Sequence, residues 1–447
     1  MQTGFPASLR SLSAALAALS VVLPGEAQQP ARAPTWVFQS DAAIEWCRLA
    51  GADRSTVVLA TQRGDVHVLR ASDGTSIAGS PLRFSPGVRV AAGESPDSAA
   101  PTAASQPGLG SMAFFERASL TLAEVRPLFR ERWRTELGPV LPHDNCGPLR
   151  KPDDDPEFLP RLAAVSAEAG GVLALAEDGR LVEIDAATGK TRWTAQLPRL
   201  SGAALTADPS AVAATGRAGG GATIRVYDRR DGAARLAKDL QDSERIEWTG
   251  MIDGELIAVT SGSVLAIRGG DVRQFDRPSS AGRTWIDVHR PKKPDGGAAA
   301  PRLIFCDGRR LSAVEVSTGR AVWATALPIE RGTFEALLVR SDHVLVRSPG
   351  AIAVLDASSG EQRLYTVSAS AARFLDADCG PEVVRAASAD EKGVLHCGIL
   401  GISERAPPAA RWITLADATR ESPQFVWGER FVLIVSRNAV ERFELDR

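Results

Sequence analysis

The chain has 447 residues, of which 44% are hydrophobic and 24% charged, a usage that excludes wholesale disorder and a coiled coil. Its 52 Lys and Arg residues nearly balance its 54 Asp and Glu residues, so the net charge of −2 gives no electrostatic footprint for nucleic acid. A chain of this length would ordinarily hold about three domains, although a large all-β ring can reach it as one domain. Nine tryptophans beside two tyrosines are an unusual aromatic composition.

The first 27 residues have the parts of a secretory signal peptide. Arg10 precedes an apolar run over residues 11–23, and Ala27 offers the small residue expected at a cleavage point. No cysteine lies near that point to accept a lipid, and no later stretch reaches about 18 unbroken apolar residues. We therefore expect a signal peptide over 1–27 and a periplasmic or secreted mature protein, with neither a lipid anchor nor a transmembrane segment.

Pairs of glycines at a nearly fixed spacing mark a sequence repeat. The members are ten residues apart in three pairs and eleven apart in a fourth: Gly64 and Gly74, Gly179 and Gly189, Gly350 and Gly360, then Gly308 and Gly319. The first glycine suits a tight turn because it adopts a positive φ without steric cost. The residues between the glycines are short aliphatic and β-branched runs, which are typical of strands. Each unit therefore predicts a meander of antiparallel strands.

The second glycines recur at a spacing typical of β-propellers. Gly189 to Gly232 is 43 residues, and Gly319 to Gly360 is 41. A period of about 40 to 50 residues with four strands per unit is the signature of propeller blades. The chain is therefore predicted to be all-β and to fold as a propeller of four-stranded antiparallel blades.

A single propeller is expected over residues 35–446, with a low-complexity Pro/Ala/Ser/Gly insertion at 93–108 and a long loop at 139–160. Counting every candidate unit gives nine, which exceeds the usual limit of about eight blades. We therefore expect eight blades, with seven as the alternative. One of the two weaker units, around 112–137 and 245–275, is expected not to form a blade.

The tryptophans occupy two positions of the repeat. Five are assigned to the fourth, outermost strand of a unit: Trp36, Trp133, Trp193, Trp323 and Trp412. Four lie at the start of a unit: Trp46, Trp248, Trp285 and Trp427. Trp36 has no unit before it, and the last inner strands have no outer strand after them. The two chain ends are therefore expected to pair and close the ring, which removes the exposed sheet edges.

Residues 177–193 resemble the repeat of pyrroloquinoline-quinone (PQQ) enzymes. The segment has an Asp-Gly turn, a strand ending at Asp185, a Thr-Gly-Lys turn and then a tryptophan. Degraded copies stand at 316–323 and, around Asp356, at 355–360. The resemblance implies a propeller of the quinoprotein alcohol dehydrogenase-like superfamily, WD40-like in architecture.

That family includes quinoprotein dehydrogenases and non-catalytic propellers, among them the scaffold protein of outer-membrane β-barrel assembly. Many of the dehydrogenases carry a vicinal cysteine pair beside the quinone, whereas the five cysteines here are isolated and no Cys-x-x-Cys-His haem motif is present. Calcium ligands and a catalytic aspartate match no position by motif. The resemblance therefore implies the non-catalytic branch, with no catalytic, cofactor-binding or metal residue and no cofactor. The alternative is a PQQ-dependent oxidoreductase holding PQQ and calcium.

The remaining residues that could carry chemistry favour structural explanations. Cys379 and Cys397 lie 18 residues apart in one unit and could form a disulfide, although buried free thiols suit an odd number of cysteines better. The acidic loop over 143–157 lacks the regular alternate oxygen ligands of a calcium loop. The glycine-rich segment 216–221 leads into a strand rather than a helix, so it is not expected to bind phosphate. The Arg-Gly-Asp tripeptide at 63–65 is explained by a repeat turn.

These features together favour an exported, non-enzymatic propeller that binds or scaffolds an envelope protein through the loops of its faces. A quinone-dependent oxidoreductase and a sugar- or peptide-binding propeller are the alternatives. The partner's identity does not follow from the sequence, because one fold serves many functions.

Overall fold

The computed structural model contains β-strands as its only regular elements within the residues that it describes. Those residues are 31–50, 54–77, 80–84, 89–90, 92–93, 112–116, 121–126, 130–136, 162–168, 171–176, 178–278, 284–291, 299–307, 310–327, 334–340, 342–367, 373–402, 411–415 and 423–445. The predicted signal peptide, the loop at 139–160 and residues 94–108 of the predicted insertion lie outside them. In this part of the chain there is no helix that could cross a bilayer.

The strands form nine sheets, numbered in chain order of their first inner strand. Sheet 1 contains β2 (Ile44–Ala50), β3 (Thr56–Thr61), β4 (Asp65–Arg70) and β5 (Leu82–Arg83). Sheet 2 contains β6 (Arg89–Val90), β8 (Met112–Glu116), β9 (Thr121–Arg126) and β10 (Arg130–Glu136). Sheet 3 contains β7 (Ala92–Gly93), β11 (Leu162–Glu168), β12 (Gly171–Ala176), β13 (Arg180–Asp185) and β14 (Thr191–Gln196).

The next three sheets follow without interruption in the sequence. Sheet 4 contains β15 (Ser201–Ala207), β16 (Ala211–Ala218), β17 (Gly221–Asp228) and β18 (Ala234–Asp239). Sheet 5 contains β19 (Ile246–Ile252), β20 (Glu255–Thr260), β21 (Ser263–Arg268) and β22 (Asp271–Asp276). Sheet 6 contains β23 (Thr284–His289), β24 (Arg302–Asp307), β25 (Arg310–Glu315) and β26 (Ala321–Ala326).

The last three sheets complete the fold. Sheet 7 contains β27 (Ala336–Arg340), β28 (His343–Arg347), β29 (Ala351–Asp356) and β30 (Gln362–Val367). Sheet 8 contains β31 (Arg373–Cys379), β32 (Val383–Ala389), β33 (Leu395–Gly401) and β34 (Arg411–Thr414). Sheet 9 contains β35 (Gln424–Trp427), β36 (Phe431–Val435), β37 (Ala439–Glu444) and β1 (Trp36–Gln39).

The predicted propeller of four-stranded antiparallel blades is confirmed. Eight sheets have four strands, and sheet 3 has a fifth because β7 adds in parallel beside β11, with Ser166 opposite Ala92. The expectation that one of the two weaker units forms no blade is wrong, since residues 112–136 form strands of sheet 2 and residues 246–276 form sheet 5. Sheet 5 lacks the Thr-Gly turn of the repeat because Gly269 and Gly270, both at positive φ, join its last two strands instead.

The chain ends pair as predicted. β1 runs antiparallel to β37, with Trp36 opposite Arg442 and Gln39 opposite Ala439. The N-terminal strand thereby becomes the outermost strand of the sheet that the C-terminal strands begin. Without β1, the edge of β37 would expose unpaired backbone groups.

The core consists of layers shared between consecutive sheets. The second strands, such as β3, β12 and β20, are buried along their whole length. Their sequences are continuous aliphatic runs because each sheet is covered by a neighbouring sheet on both faces. One cluster joins sheets 6 and 7 through Ile304 and Val344, and another joins sheets 8 and 9 through Cys397 and Val432.

Candidate functional site

Three of the outermost tryptophans, Trp36, Trp193 and Trp323, contact the next sheet, and each such contact is called a tryptophan dock. The indole Nε1 donates to a backbone carbonyl three residues before a turn glycine of the next sheet. The pairs are Trp36 to Ala71 O at 3.0 Å, Trp193 to Arg229 O at 2.8 Å and Trp323 to Ala357 O at 3.0 Å. All nine tryptophans lie on the strand type that the sequence predicts, five outermost and four innermost. The repeated positions of Trp36, Trp193 and Trp323 therefore mark contacts between consecutive sheets.

The turn glycine of a dock is required for two reasons, which Gly360 illustrates. Its φ is +73°, and a Cβ there would lie 2.6 Å from the Trp323 ring. Positive φ values are also found at the predicted repeat markers Gly64, Gly74, Gly179, Gly189 and Gly319. Gly350 differs because its φ is not positive, and Gly308 lies outside the described residues. The markers are therefore mainly turn and packing residues.

The repeat aspartates hold the same turns from within. Asp185 Oδ1 accepts the backbone N–H of Ala187 at 2.9 Å and that of Thr188 at 2.8 Å. Asp356 Oδ1 accepts the corresponding N–H groups of Ser358 and Ser359. Hydrogen bonds from Arg192 and Thr188 lower the pKa of Asp185 to about 2. A carboxylate held in this way supports the turn, and nothing places it beside a ligand.

A buried ionic network joins sheets 3 and 4. The Glu183 side chain is fully buried, and its Oε1 lies 3.1 Å from Arg229 Nε and 3.1 Å from Arg192 Nη1. Its Oε2 accepts the Trp193 indole at 2.9 Å. Gly171 leaves room for this carboxylate, since a Cβ there would collide with Oε1. The network therefore links sheets 3 and 4 through contacts of a buried carboxylate.

Cys379 and Cys397, which could form a disulfide by their spacing, are free thiols in the structure. Cys379 ends β31 and Cys397 lies on β33, so β32 separates them, and both thiols are free and buried. Strands two apart are roughly 9 to 10 Å from each other, beyond the Cα separation of about 4.4–6.8 Å that a disulfide needs. Burial raises the pKa of Cys379 to about 12, so the thiol is an inert core residue.

Two carboxylates on inner strands reach across to a neighbouring sheet. Asp287 Oδ2 on β23 accepts the Val339 N–H of β27 at 2.8 Å. Asp376 Oδ2 on β31 accepts the Trp427 indole of β35 at 2.9 Å. Burial raises the pKa of both carboxyl groups, against hydrogen bonds that lower it. These groups tie the inner strands together at the centre of the ring.

Charged side chains of sheets 7, 8 and 1 lie near the ends of inner strands, and we call this group the arginine mouth: Arg54, Arg340, Asp378 and Arg385. Arg385 Nη1 lies 2.9 Å from Asp378 Oδ2, and Arg340 Nε lies 3.9 Å from Asp378 Oδ1. Arg54 follows β2 and donates from Nη1 to Trp427 O at 3.0 Å. Asp378 is therefore shared by Arg385 and Arg340, whereas Arg54 contacts the backbone of sheet 9.

A groove of about 600 Å³ opens between sheets 4 and 5. Its polar lining includes Lys238, Gln241, Glu244 and Gln274. This joint has no tryptophan dock, because Leu236 stands at the third position of β18, where β14 and β26 carry tryptophan. An outer-strand tryptophan therefore does not link sheet 4 to sheet 5 at this joint.

The comparison with family models gives a match over residues 130–277, about a third of the chain, to a PQQ-repeat model described as outer membrane protein assembly factor BamB. The segment spans sheets 3, 4 and 5 with the last strand of sheet 2. The resemblance to PQQ-like β-propellers is confirmed. No curated protein matches the chain in sequence.

Solved structures similar to this propeller are distant in sequence. BamB from Moraxella catarrhalis is 14% identical, with a TM-score of 0.43, and the match covers 92% of this chain and 99% of that one. The computationally designed Ika8 protein is 12% identical, with a TM-score of 0.49 and coverage of 80% and 99%. Sqt1 from Saccharomyces cerevisiae is 11% identical, with a TM-score of 0.46 and coverage of 92% and 98%. The propeller fold is assigned from the pairing of the strands themselves.

The described residues do not fit the PQQ and calcium of the family's dehydrogenases. Within them no group of three His, Cys, Asp or Glu side chains could hold a metal ion. The carboxylates nearest the ring centre, Asp287 and Asp376, are already engaged by N–H donors of neighbouring sheets.

The sequence gives no sign of the arginine mouth. Its members are separated by up to 331 positions, from Arg54 to Arg385, and none belongs to the glycine and tryptophan repeat. The only local signal is that each lies close to the end of an inner strand or the start of the strand that follows. Such positions become neighbours only when the ring closes.

Proposed function

We propose that the protein is an exported, non-enzymatic propeller that binds another protein of the cell envelope and acts as a scaffold there. The observation that carries the proposal is the match of residues 130–277 to a family model described as outer membrane protein assembly factor BamB. The signal-like segment at 1–27 agrees with an envelope location.

The geometry is compatible with this role. The ionic networks and aspartates described above join sheets to one another, which suits a rigid scaffold. The groove between sheets 4 and 5 is a place where polar groups face an opening. Binding residues on loops that a rigid framework positions are the usual arrangement in such folds.

A cell-based experiment tests the location and the partner together. The full chain with a C-terminal affinity tag is expressed in its host, cross-linked in intact cells and purified from the periplasmic and membrane fractions. We expect an envelope protein to be recovered at a fixed stoichiometry that persists in gel filtration. The matched control lacks residues 1–27 and is expected to stay in the cytoplasm without that partner. Recovery of the full chain from the cytoplasm would contradict the export proposal.

A titration with PQQ and calcium tests the alternative. The nine tryptophans provide a fluorescence signal for a bound quinone. We expect no saturable quenching and no dye-linked oxidation of alcohols. Stoichiometric binding with a quinone absorbance band and turnover would replace the scaffold proposal with an oxidoreductase.

A further inference from the structure

The groove between sheets 4 and 5 is lined from both sheets. Lys238 lies on β18 and Gln241 follows that strand, whereas Ser263 begins β21 and Gln274 lies on β22. The volume of about 600 Å³ falls within the range of about 300–1,000 Å³ that is usual for small-ligand sites. Most of the lining residues are polar, so the groove suits a polar ligand better than an apolar one.

Lys238 and Gln274 project into the joint from opposite sides. Lys238 lies opposite Ile224 of β17, and Gln274 lies opposite Leu265 of β21. Ile224 and Leu265 belong to one buried cluster that sheets 4 and 5 share. Side chains that lie directly opposite each other in an antiparallel pair project from the same face of the sheet. An ammonium group and an amide therefore face each other's sheet beside this apolar cluster.

Glu244 supplies a carboxylate to the same groove. Its Oε1 accepts the Thr260 hydroxyl at 3.2 Å, and Gly262 places no side chain over it, since a Cβ there would lie 3.6 Å from Oε1. Asp239 is the other acidic residue of the lining, and its Oδ1 lies 2.8 Å from Arg225 Nη2. Asp239 is therefore paired with a cation of its own sheet, whereas Glu244 receives only a hydroxyl.

The two charges of the groove are not paired with each other. Within the residues that the structure describes, no ion pair joins Lys238 to Glu244 or to another carboxylate. The fifth position of the outer strand, where Lys238 stands, holds Ala195 in β14 and Thr325 in β26. Lys238 therefore departs from the repeat and places a cation where the equivalent strands have uncharged side chains.

We propose that the groove between sheets 4 and 5 binds a short zwitterionic peptide, with the peptide carboxylate at Lys238 and the peptide ammonium at Glu244. An anion or a cation alone would meet one group of like charge, and an uncharged sugar would leave both charges without a counterion. The side-chain amides of Gln241 and Gln274 donate and accept hydrogen bonds, which matches the C=O and N–H of a peptide bond. This inference goes beyond the scaffold proposal, because a small-ligand site does not require a protein partner.

Saturation-transfer NMR with alanylalanine, titrated against the purified full chain, tests the site. Two matched ligands each remove one charge: the C-terminal amide lacks the carboxylate, and the N-acetyl form lacks the ammonium. Each is expected to bind about threefold more weakly than alanylalanine, as for the loss of one partly exposed charge contact. Free alanine keeps both charges but lacks the peptide bond, and it is also expected to bind more weakly.

The variants Lys238→Gln and Glu244→Gln separate the two contacts. Lys238→Gln is expected to bind alanylalanine and its amide equally, while it still prefers alanylalanine to the N-acetyl form. Glu244→Gln is expected to show the reverse pattern. The matched control is Lys190→Gln, which removes an exposed lysine of sheet 3 and is expected to keep both preferences.

Three results would overturn the site. One is the absence of saturable binding, or equal binding of alanylalanine and the two ligands that lack a charge. Another is the retention of both preferences in Lys238→Gln and Glu244→Gln, which would place the peptide elsewhere. The third is binding of free alanine as tight as that of alanylalanine, which would exclude recognition of a peptide bond.

The comparison of ligands on the wild-type chain decides the charge preferences even if a variant fails to fold, and circular dichroism identifies such a variant. Lys238→Arg keeps the cation and is expected to retain the preference for the free carboxylate; loss of that preference with an unchanged spectrum would contradict recognition by charge. The scaffold proposal is judged separately by recovery of the envelope partner, which does not depend on the binding of alanylalanine.

Discussion

At the residue scale, Glu183 shows how this ring holds charge inside its core. Its carboxylate has no exposed surface and is satisfied by Arg229, Arg192 and the Trp193 indole. A buried ion pair adds little net stability when both partners are present, because desolvation offsets their attraction. Removing one partner is costly because the other charge stays buried without its counterion.

We therefore expect Glu183→Ala to lower the free energy of unfolding by about 3–5 kcal/mol. Urea denaturation followed by tryptophan fluorescence measures the loss. The matched control is Glu361→Ala, because Glu361 is 67% exposed and lies 3.8 Å from Arg363. Its effect is expected to stay below about 1 kcal/mol. Equal losses in the two variants would show that the Glu183 network does not hold the joint.

Asp376 gives a prediction for pH dependence. Burial raises the pKa of this carboxyl group above its value in the unfolded chain, so the folded state holds its proton more tightly. The free energy of unfolding that depends on this group must then fall as the pH rises through the two pKa values. Asp376→Asn cannot ionise, so its stability relative to the wild type is expected to increase from about pH 4 to pH 7.

Asp239 provides the control of opposite sign. Hydrogen bonds from Thr223 and Arg225 lower the pKa of this exposed carboxyl group. Its contribution is present above the unfolded pKa and is lost as the pH falls, so the relative stability of Asp239→Asn should decrease from acid to neutral pH. Thermal melts of both variants and the wild type at several pH values measure the trends. The same slope in both variants would refute the assignment of opposite shifts.

At the element scale, the docks show which parts of the repeat are needed. A turn glycine at positive φ lies under a tryptophan of the preceding sheet, as Gly360 does under Trp323. The sequence predicts these turns and strand types because glycine tolerance of positive φ and strand propensity are local properties. The sequence does not predict the contact between the turn glycine and the tryptophan, because these two residues belong to different repeats.

Gly360→Ala is expected to lower the free energy of unfolding by about 1–3 kcal/mol, because the new Cβ meets both an unfavourable φ and the indole ring. Gly350→Ala is the matched control, because it is a repeat glycine without a positive φ and with no atom within 4 Å of its added Cβ. Its effect is expected to be within about 0.5 kcal/mol. The loss in each variant is measured as a shift of the urea midpoint, with the slope of the unfolding transition unchanged. A neutral Gly360→Ala would show that the dock can move aside without cost.

At the scale of the whole molecule, β1 closes the ring. It supplies the outer strand of sheet 9 and places Trp36 on the turn of sheet 1. Deletion of residues 1–39 removes both interactions, whereas deletion of residues 1–27 leaves them in place. Loss of a packed tryptophan alone costs about 3–5 kcal/mol, and the freed edge of β37 can template association.

We therefore expect the longer deletion to unfold at lower urea concentration and to form oligomers in gel filtration, while the shorter one behaves as a stable species of unchanged size. Adding a synthetic peptide of residues 32–40 is expected to restore part of the stability by rebuilding the outer strand. Identical denaturation curves for the two deletions would show that the pairing of the chain ends does not stabilise the ring.

The blade count shows where sequence reasoning needs the structure. The repeat markers identify the strong units, and the described residues form nine sheets, eight of four strands and one of five. Sheets 2 and 5 lack complete markers, so the glycines alone could not show whether these units form blades. Sheet 5 forms because alternative turn glycines and buried aliphatic strands serve as well as the consensus. Strand pairing with neighbours outweighs a weak local signal.

The sequence by itself determined the all-β class, the repeat of antiparallel strands, the two tryptophan positions and the pairing of the chain ends. Turn geometry, strand propensity and the spacing of aromatic residues are written in short segments, so they can be read locally. Only the tertiary structure decided that Cys379 and Cys397 lie on strands kept apart by a third, and that Arg340 of sheet 7 lies 3.9 Å from Asp378 of sheet 8. These relations depend on how closure of the ring brings distant residues together.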